Sequence, residues 1–190
     1  MKLITSRLYT GIITLMILFV SANVTAQDQD RIMDMEKREA IKSDAMDAMS
    51  AFMRANPELE ATLSNSAGYA IFPNVGKGAW ILGGAAGNGI VYENGEVAGY
   101  AELRQIDIGF QFGGKAFRQL IVFQTQKALN KFKEGNFEFG GSASAVIWDE
   151  GVDKALTFED GAGVAIMSKA GAMAGISIGG QEFDYRAVNQ

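Results

Sequence analysis

Six basic residues fall between positions 104 and 133: Arg104, Lys115, Arg118, Lys127, Lys131 and Lys133, with Asp107 alone opposing them. Cations at that density could hold an anionic group if folding brings them to one face, each contributing roughly 1 kcal/mol near an anionic surface. Lys127 and Lys131 stand four residues apart and share a helix face. Lys115 also completes Gly109, four residues, Gly114 and Lys115, the outline of a phosphate-binding loop. A working loop of that kind places Ser or Thr after the lysine and opens a helix there. Here Ala116 follows. Ile106, Ile108, Phe110 and Phe112 alternate with Asp107, Gly109, Gln111 and Gly113, the period of a half-buried strand. No nucleotide is expected.

Catalytic chemistry finds little material. The chain has no histidine and no cysteine, which removes the usual general base, the nucleophilic triads and most zinc and copper sites. Ser142 and Ser144 in GGSASA do not form a nucleophile elbow and have no histidine to activate them. Glu93 and Glu96 flank a turn, an exposed place. Neither YENGEV nor FEDGAG supplies the alternating oxygen ligands of a calcium loop. The chain is therefore expected to be no enzyme and to need no cofactor or metal.

The elements that must position the basic residues follow from periodicity. Lys2 and Arg7 precede an apolar run, Gly11–Val20, and the small and polar SANVTAQ follows. The run is short of the about 20 residues that span a bilayer, so residues 1–26 read as a secretory signal peptide cut before Gln27. Residues 27–38 form a polar leader or the first turns of a helix, and residues 39–190 a single domain. The formal net charge of −5 becomes −7 when Lys2 and Arg7 leave with the signal; a chain this acidic is not a general nucleic-acid binder.

From Glu39 to Arg54, Ile41, Ala45, Ala48, Met49 and Phe52 recur at helical spacing, with Met46 and Met53 beside them. This face could cover a sheet or lie on a membrane. Asn56 and Pro57 read as the cap and first residue of a second, short helix bearing Leu59 and Leu63. After Ser66, short apolar runs alternate with many of the chain's 23 glycines, the composition of bent, twisted strands. Glu93-Asn94-Gly95-Glu96 between GIVY and VAGY predicts a hairpin. One helix, Gln124 to Glu134, interrupts the strands, with Ala128, Leu129 and Phe132 on its apolar side. The fold class is α+β: N-terminal helices, then a curled antiparallel sheet or partly closed barrel with one inserted helix. The aromatic residues, among them Phe72, Trp80, Phe110, Phe117, Phe123, Phe132 and Trp148, either fill the core or line an acyl-chain pocket.

Three blocks, GYAIFPNVGKGAWILGGAAGNGIVYENG, GFQFGGKAFRQLIVFQTQKALNKFKEG, and SASAVIW with the terminal GISIGGQEFDY, resemble in order the SYLF domain family. That family is also catalogued as the actin-binding domain of cortical actin-patch proteins. The resemblance runs from about Ser66 to Tyr185. It implies binding of phosphoinositides or other anionic lipids, with actin binding in some members, and no known catalysis. An exported protein does not meet cytosolic actin, so the expected partner is an anionic phospholipid or membrane surface in the periplasm or at the envelope membranes. Lys115, Arg118, Lys127, Lys131 and Lys133 are the expected lipid-binding residues, and the Met46–Met49–Met53 face is the candidate for apolar insertion. The alternative is a structural module of the cell envelope that binds another protein through a sheet edge or acidic face.

Overall fold

A computed structural model describes residues 34–76, 84–106, 116–135, 137, 145–148, 155–169 and 180–188. The proposed signal peptide, Lys115, the phosphate-loop-like stretch from Gly109 to Lys115, and Ser142 and Ser144 lie outside them. The chain divides into two units, Met1–Ala40 and Ile41–Gln190. Of the first, residues 34–40 are described; they are helical and exposed.

Helix α1 covers residues 34–55, so part of the expected polar leader is helical. Ala45, Ala48, Phe52 and Ala55 form its buried stripe, and Ile41, Met49 and Met53 pack partly against the same core. Their three- and four-residue spacing places them on one side. Phe52 meets Trp148 edge to face at 5.9 Å. The methionine face therefore covers the sheet, leaving Met46 outside it at 62 % exposure. The Asn56 N–H still donates to the Phe52 carbonyl at 2.9 Å, and the Asn56 side chain accepts from the Glu58 N–H at 3.0 Å. Helix α2, Leu59–Ser64, begins after that turn, two residues later than a start at Pro57.

The strands are β1 Gly68–Gly76, β2 Gly84–Glu93, β3 Glu96–Ile106, β4 Phe117–Phe123, β5 Val146–Ile147, β6 Phe158–Glu159, β7 Ala162–Ser168 and β8 Gln181–Ala187. They make one 8-stranded sheet in the order β5-β7-β4-β1-β2-β3-β8, with β6 also on β7. Every pairing is antiparallel except β5 with β7. The sheet is thus mixed and open, α+β, where sequence periodicity suggested a purely antiparallel one. Two-residue β5 carries no hairpin signal that could set its direction.

The expected hairpin joins β2 to β3. Asn94 and Gly95 have φ of 54° and 80°, the pair of left-handed residues that a type I′ turn requires. Central β1 carries Pro73, which cannot donate to either ladder. Both registers of β1 slip across it, between Ile71 and Asn74 against β2 and between Phe72 and Val75 against β4. The bulge turns Asn74 outward, where its side chain donates to Asp44 of α1 at 2.7 Å and accepts from Lys169.

Each face of the sheet carries its own core. Ile71, Ile90, Leu120, Val122 and Met167 pack with α1, α2 and Trp148. Phe72, Val91, Leu103, Ile121, Phe123 and Phe183 pack on the other side with helix α3, Gln126–Lys133. Complete burial of one such side chain contributes about 1.5–3 kcal/mol. The sheet curls toward the α3 face. β1 and β8 are not neighbours in strand order, yet Phe183 of β8 comes within 5.8 Å of Phe72 of β1, and within 5.0 Å of Phe132 of α3, centroid to centroid.

Candidate functional site

Helix α3 carries three of the five expected lipid-binding residues. Thr125 caps its N-terminus, its hydroxyl accepting from the Ala128 N–H at 3.2 Å. Lys131 and Lys133 lie in the last turn, where cations complement the helix dipole. Gly135, at φ 72°, follows the helix end. Ala128, Leu129 and Phe132 are buried, so the helix is pinned along one side, with Phe132 packed among Phe123, Phe137 and Phe183.

The lysines part company around this helix. Successive residues advance about 100°, which places Lys131 about 40° from Lys127 and Lys133 about 200° from Lys131. Lys127 and Lys131 are exposed, and among the described residues neither has an ion-pair partner. Lys133 turns inward to Glu93 at the end of β2 and forms a salt bridge with it. The same carboxylate accepts from Gln126 at 2.8 Å. Lys133, first, and then Gln126 hold the Glu93 carboxyl below its ordinary range. The Lys133 ammonium also sits 6.0 Å from the centre of the Tyr185 ring. Tyr185 donates its hydroxyl to the Ala98 carbonyl at 2.9 Å, and burial raises its phenol above the usual value.

Arg118 is not gathered with the α3 lysines. Along β4, Phe117, Ile121 and Phe123 belong to the α3-side core while Leu120 and Val122 belong to the α1-side core. Arg118 shares the phase of Leu120, so it projects from the opposite face of the sheet. There its guanidinium lies 4.0 Å from the Met167 sulfur. Arg104 is held by Glu102 through two hydrogen bonds of 3.1 and 2.9 Å and stands across from Glu182 of β8. Among the described residues, the exposed cations of this region without an ion-pair partner are therefore Lys127 and Lys131.

Three features have no counterpart in the sequence expectations. Gln105, Gln119 and Gln181 are buried on the α3 side and bond to one another, Gln119 to Gln181 at 2.8 Å and Gln181 to Gln105 at 3.0 Å. On the other face Tyr69 and Tyr92 stack with centroids 4.8 Å apart, and burial, then the neighbouring Tyr92, pushes the Tyr69 phenol up to about 12. A groove of about 500 Å³ runs beside β8, with Glu102, Arg104, Glu182 and Asp184 on its walls and Phe137 at one side. Its charged lining does not suit an acyl chain. The described aromatic residues fill core positions, Phe72, Phe117, Phe123, Phe132, Phe137 and Trp148 all being buried; Trp80, Phe110, Phe112 and Phe139 lie outside the described residues. Among the described residues, no cluster of acidic side chains could hold a metal ion, and no helix is long and apolar enough to cross a membrane.

A family model described as "Ysc84: Las17-binding protein actin regulator" matches residues 104–188. The segment from residue 104 to 188 is similar to a domain of that family. The Ysc84-type, or SYLF-type, match begins within β3 and takes in β4, α3 and every later strand. β1 and β2 precede it, yet they lie between β4 and β3 in the sheet. The matched segment leaves β4 without its β1 ladder, so the folding unit extends upstream of the match. Members of this family are binding modules directed at lipid or actin, and the family is not known for catalysis. No curated protein matches the chain.

Proposed function

We propose that the chain is an exported, non-catalytic lipid-binding protein whose Ysc84-type domain meets anionic headgroups peripherally through Lys127 and Lys131. The observation that carries this reading is the exposed lysine pair on a helix whose other side is buried. A rigid helix presents both cations together, so little side-chain ordering beyond their own is needed on binding. Two cations at roughly 1 kcal/mol each correspond to about a 30-fold gain on an anionic surface. Lys2, Arg7 and the apolar run Gly11–Val20 support export, and the periplasm or the surface of an envelope membrane is the compartment proposed.

Co-sedimentation of the purified protein with vesicles tests it. Phosphatidylglycerol-rich vesicles should pellet the protein and neutral vesicles should not. Moderate salt should weaken the binding, since exposed charges are screened over about 8 Å at physiological ionic strength. K127E/K131E should abolish it. Equal pelleting on both vesicles, or none on either, would end the peripheral-lipid reading.

A second reading is a module that binds an envelope protein. The family's description is of a protein-binding regulator, and the charged groove beside β8 offers a polar surface for such a partner. Export argues against actin itself as that partner.

A further inference from the structure

Glu93 stands next to the Asn94-Gly95 turn, yet its carboxylate touches both ends of α3. One oxygen accepts from Gln126, the first residue of the helix, and the other pairs with Lys133, the last. Gln126 also donates to Asn130 at 3.1 Å. Residues 126, 130 and 133 fall within about 60° of one another around a helix. They form a polar edge that runs the length of α3 and faces the end of β2. The side chains of the pair are 22 % and 25 % exposed, sheltered enough for the charges to interact more strongly than a fully solvated pair. Tyr185 closes the cluster from β8.

We infer that Glu93 is a positioning residue for α3, and that Lys133 acts through it to set the aim of Lys127 and Lys131 instead of contacting the headgroup. This rests on the lipid reading of Lys127 and Lys131. The buried side of α3 is a narrow stripe of Ala128, Leu129 and Phe132, which holds the helix to the sheet along one line and leaves its rotational setting to be completed at the polar edge. A carboxylate bonded at both ends of that edge completes it. For Lys133 to reach a headgroup it would have to leave Glu93, exchanging a partly sheltered pair that Gln126 also supports for a contact in water.

The test uses the purified protein, thermal unfolding, and pelleting with phosphatidylglycerol-rich vesicles over a salt series. The variants are E93K, K133E, the charge swap E93K/K133E, and K133M. Each charge reversal places like charges together and is expected to lower Tm by a few degrees, about 2–4 °C per kcal/mol lost for a chain of this size. The swap restores the pair at unchanged net charge, and the Gln126 amide can rotate to offer its oxygen to the new lysine. Tm should recover, with pelleting within about threefold of wild type and the same salt dependence. K133M should lower Tm yet keep the wild-type salt dependence, because no headgroup contact is removed. A swap that recovers Tm but loses pelleting tenfold or more, or a K133M protein with a flattened salt dependence, would make Lys133 a headgroup ligand and overturn the inference. So would reversals that leave Tm unmoved. The thermal pattern needs no lipid: if K127E/K131E pellets like wild type, the lipid reading falls, while the clamp on α3 is still decided by Tm. If E93K does not fold, E93Q replaces it and must also lower Tm.

Discussion

The Gln119 side chain of β4 donates to the Gln181 side chain of β8 at 2.8 Å, although β1, β2 and β3 separate these strands in the sheet. The bond is a direct measure of how far the sheet has curled. Gln181 in turn donates to Gln105 of β3, so one amide network ties the last strand to both sides of the interior. All three residues are at most 3 % exposed. Among the described residues no buried side-chain nitrogen or oxygen lacks a partner, as a low-dielectric interior demands.

Breaking the Gln119–Gln181 pair from one side should cost more than removing it altogether. Gln181→Met leaves the Gln119 amide facing an apolar side chain, and an orphaned buried polar group costs about 1–3 kcal/mol. Converting Gln119 to methionine as well removes that orphan at nearly constant volume and should restore most of that loss. Urea unfolding of the single and double variants checks this. A double variant less stable than the single one would show that the Gln119–Gln181 pair contributes more than it costs to bury.

The two left-handed turns make a matched pair. Gly95 and Gly161 both have φ of +80°. A Cβ at Gly95 meets nothing within 4 Å, whereas one at Gly161 would lie 2.6 Å from the Thr125 hydroxyl that caps α3. Gly95→Ala should therefore cost about 1–2 kcal/mol of backbone strain alone. Gly161→Ala should add loss of the cap, worth about 1 kcal/mol more, and should fray the N-terminus of α3 in amide exchange.

These turns also mark what could be read from the chain beforehand. Asn94-Gly95 stood between two obvious strands, and its hairpin was legible. Asp160-Gly161 carries the same chemistry but follows a two-residue strand, too short to frame it. The α3 period and the α1 stripe were legible because helical spacing is local. Arg118 shows a signal that was present and outweighed: the alternation of Phe117, Gln119, Ile121 and Phe123 already set it on the other face, while its nearness in sequence to the lysines suggested one patch. Gln119 keeps step with Ile121 and Phe123, and this inward phase was the clue to the buried amides. The Glu93–Lys133 pair spans 40 residues, and no local rule joins them.

The α1-side core should depend strongly on a single aromatic contact. Phe52 and Trp148 are both fully buried and meet edge to face. Phe52→Ala should destabilise the fold by about 3–5 kcal/mol through the cavity it leaves, and Phe52→Leu by clearly less. Met46→Ala, on the same helix but exposed, should move stability by no more than about 0.5 kcal/mol. If Met46→Ala left stability unchanged but weakened vesicle pelleting, the exposed methionine would be part of the membrane contact.

Acid should weaken the hold on α3. The hydrogen bond from Lys133, and then that from Gln126, lower the Glu93 pKa in the folded state. A depressed carboxylate stabilises the fold fully above its unfolded pKa, about 4.3, and that contribution disappears as pH falls through the folded value. Tyr185, the other titratable group facing the pair, has a raised pKa and stays neutral through this range. The Tm difference between wild type and Glu93→Gln should thus be constant from about pH 6 to 8 and shrink steadily below the ordinary carboxylate range. A difference that persists undiminished at about pH 3 would mean that Glu93 works by shape and neutral hydrogen bonding, and that its charge does not hold the helix. Since Lys127 and Lys131 ride on α3, the proposed binding to anionic vesicles should become less sensitive to the Glu93→Gln change over the same acid interval.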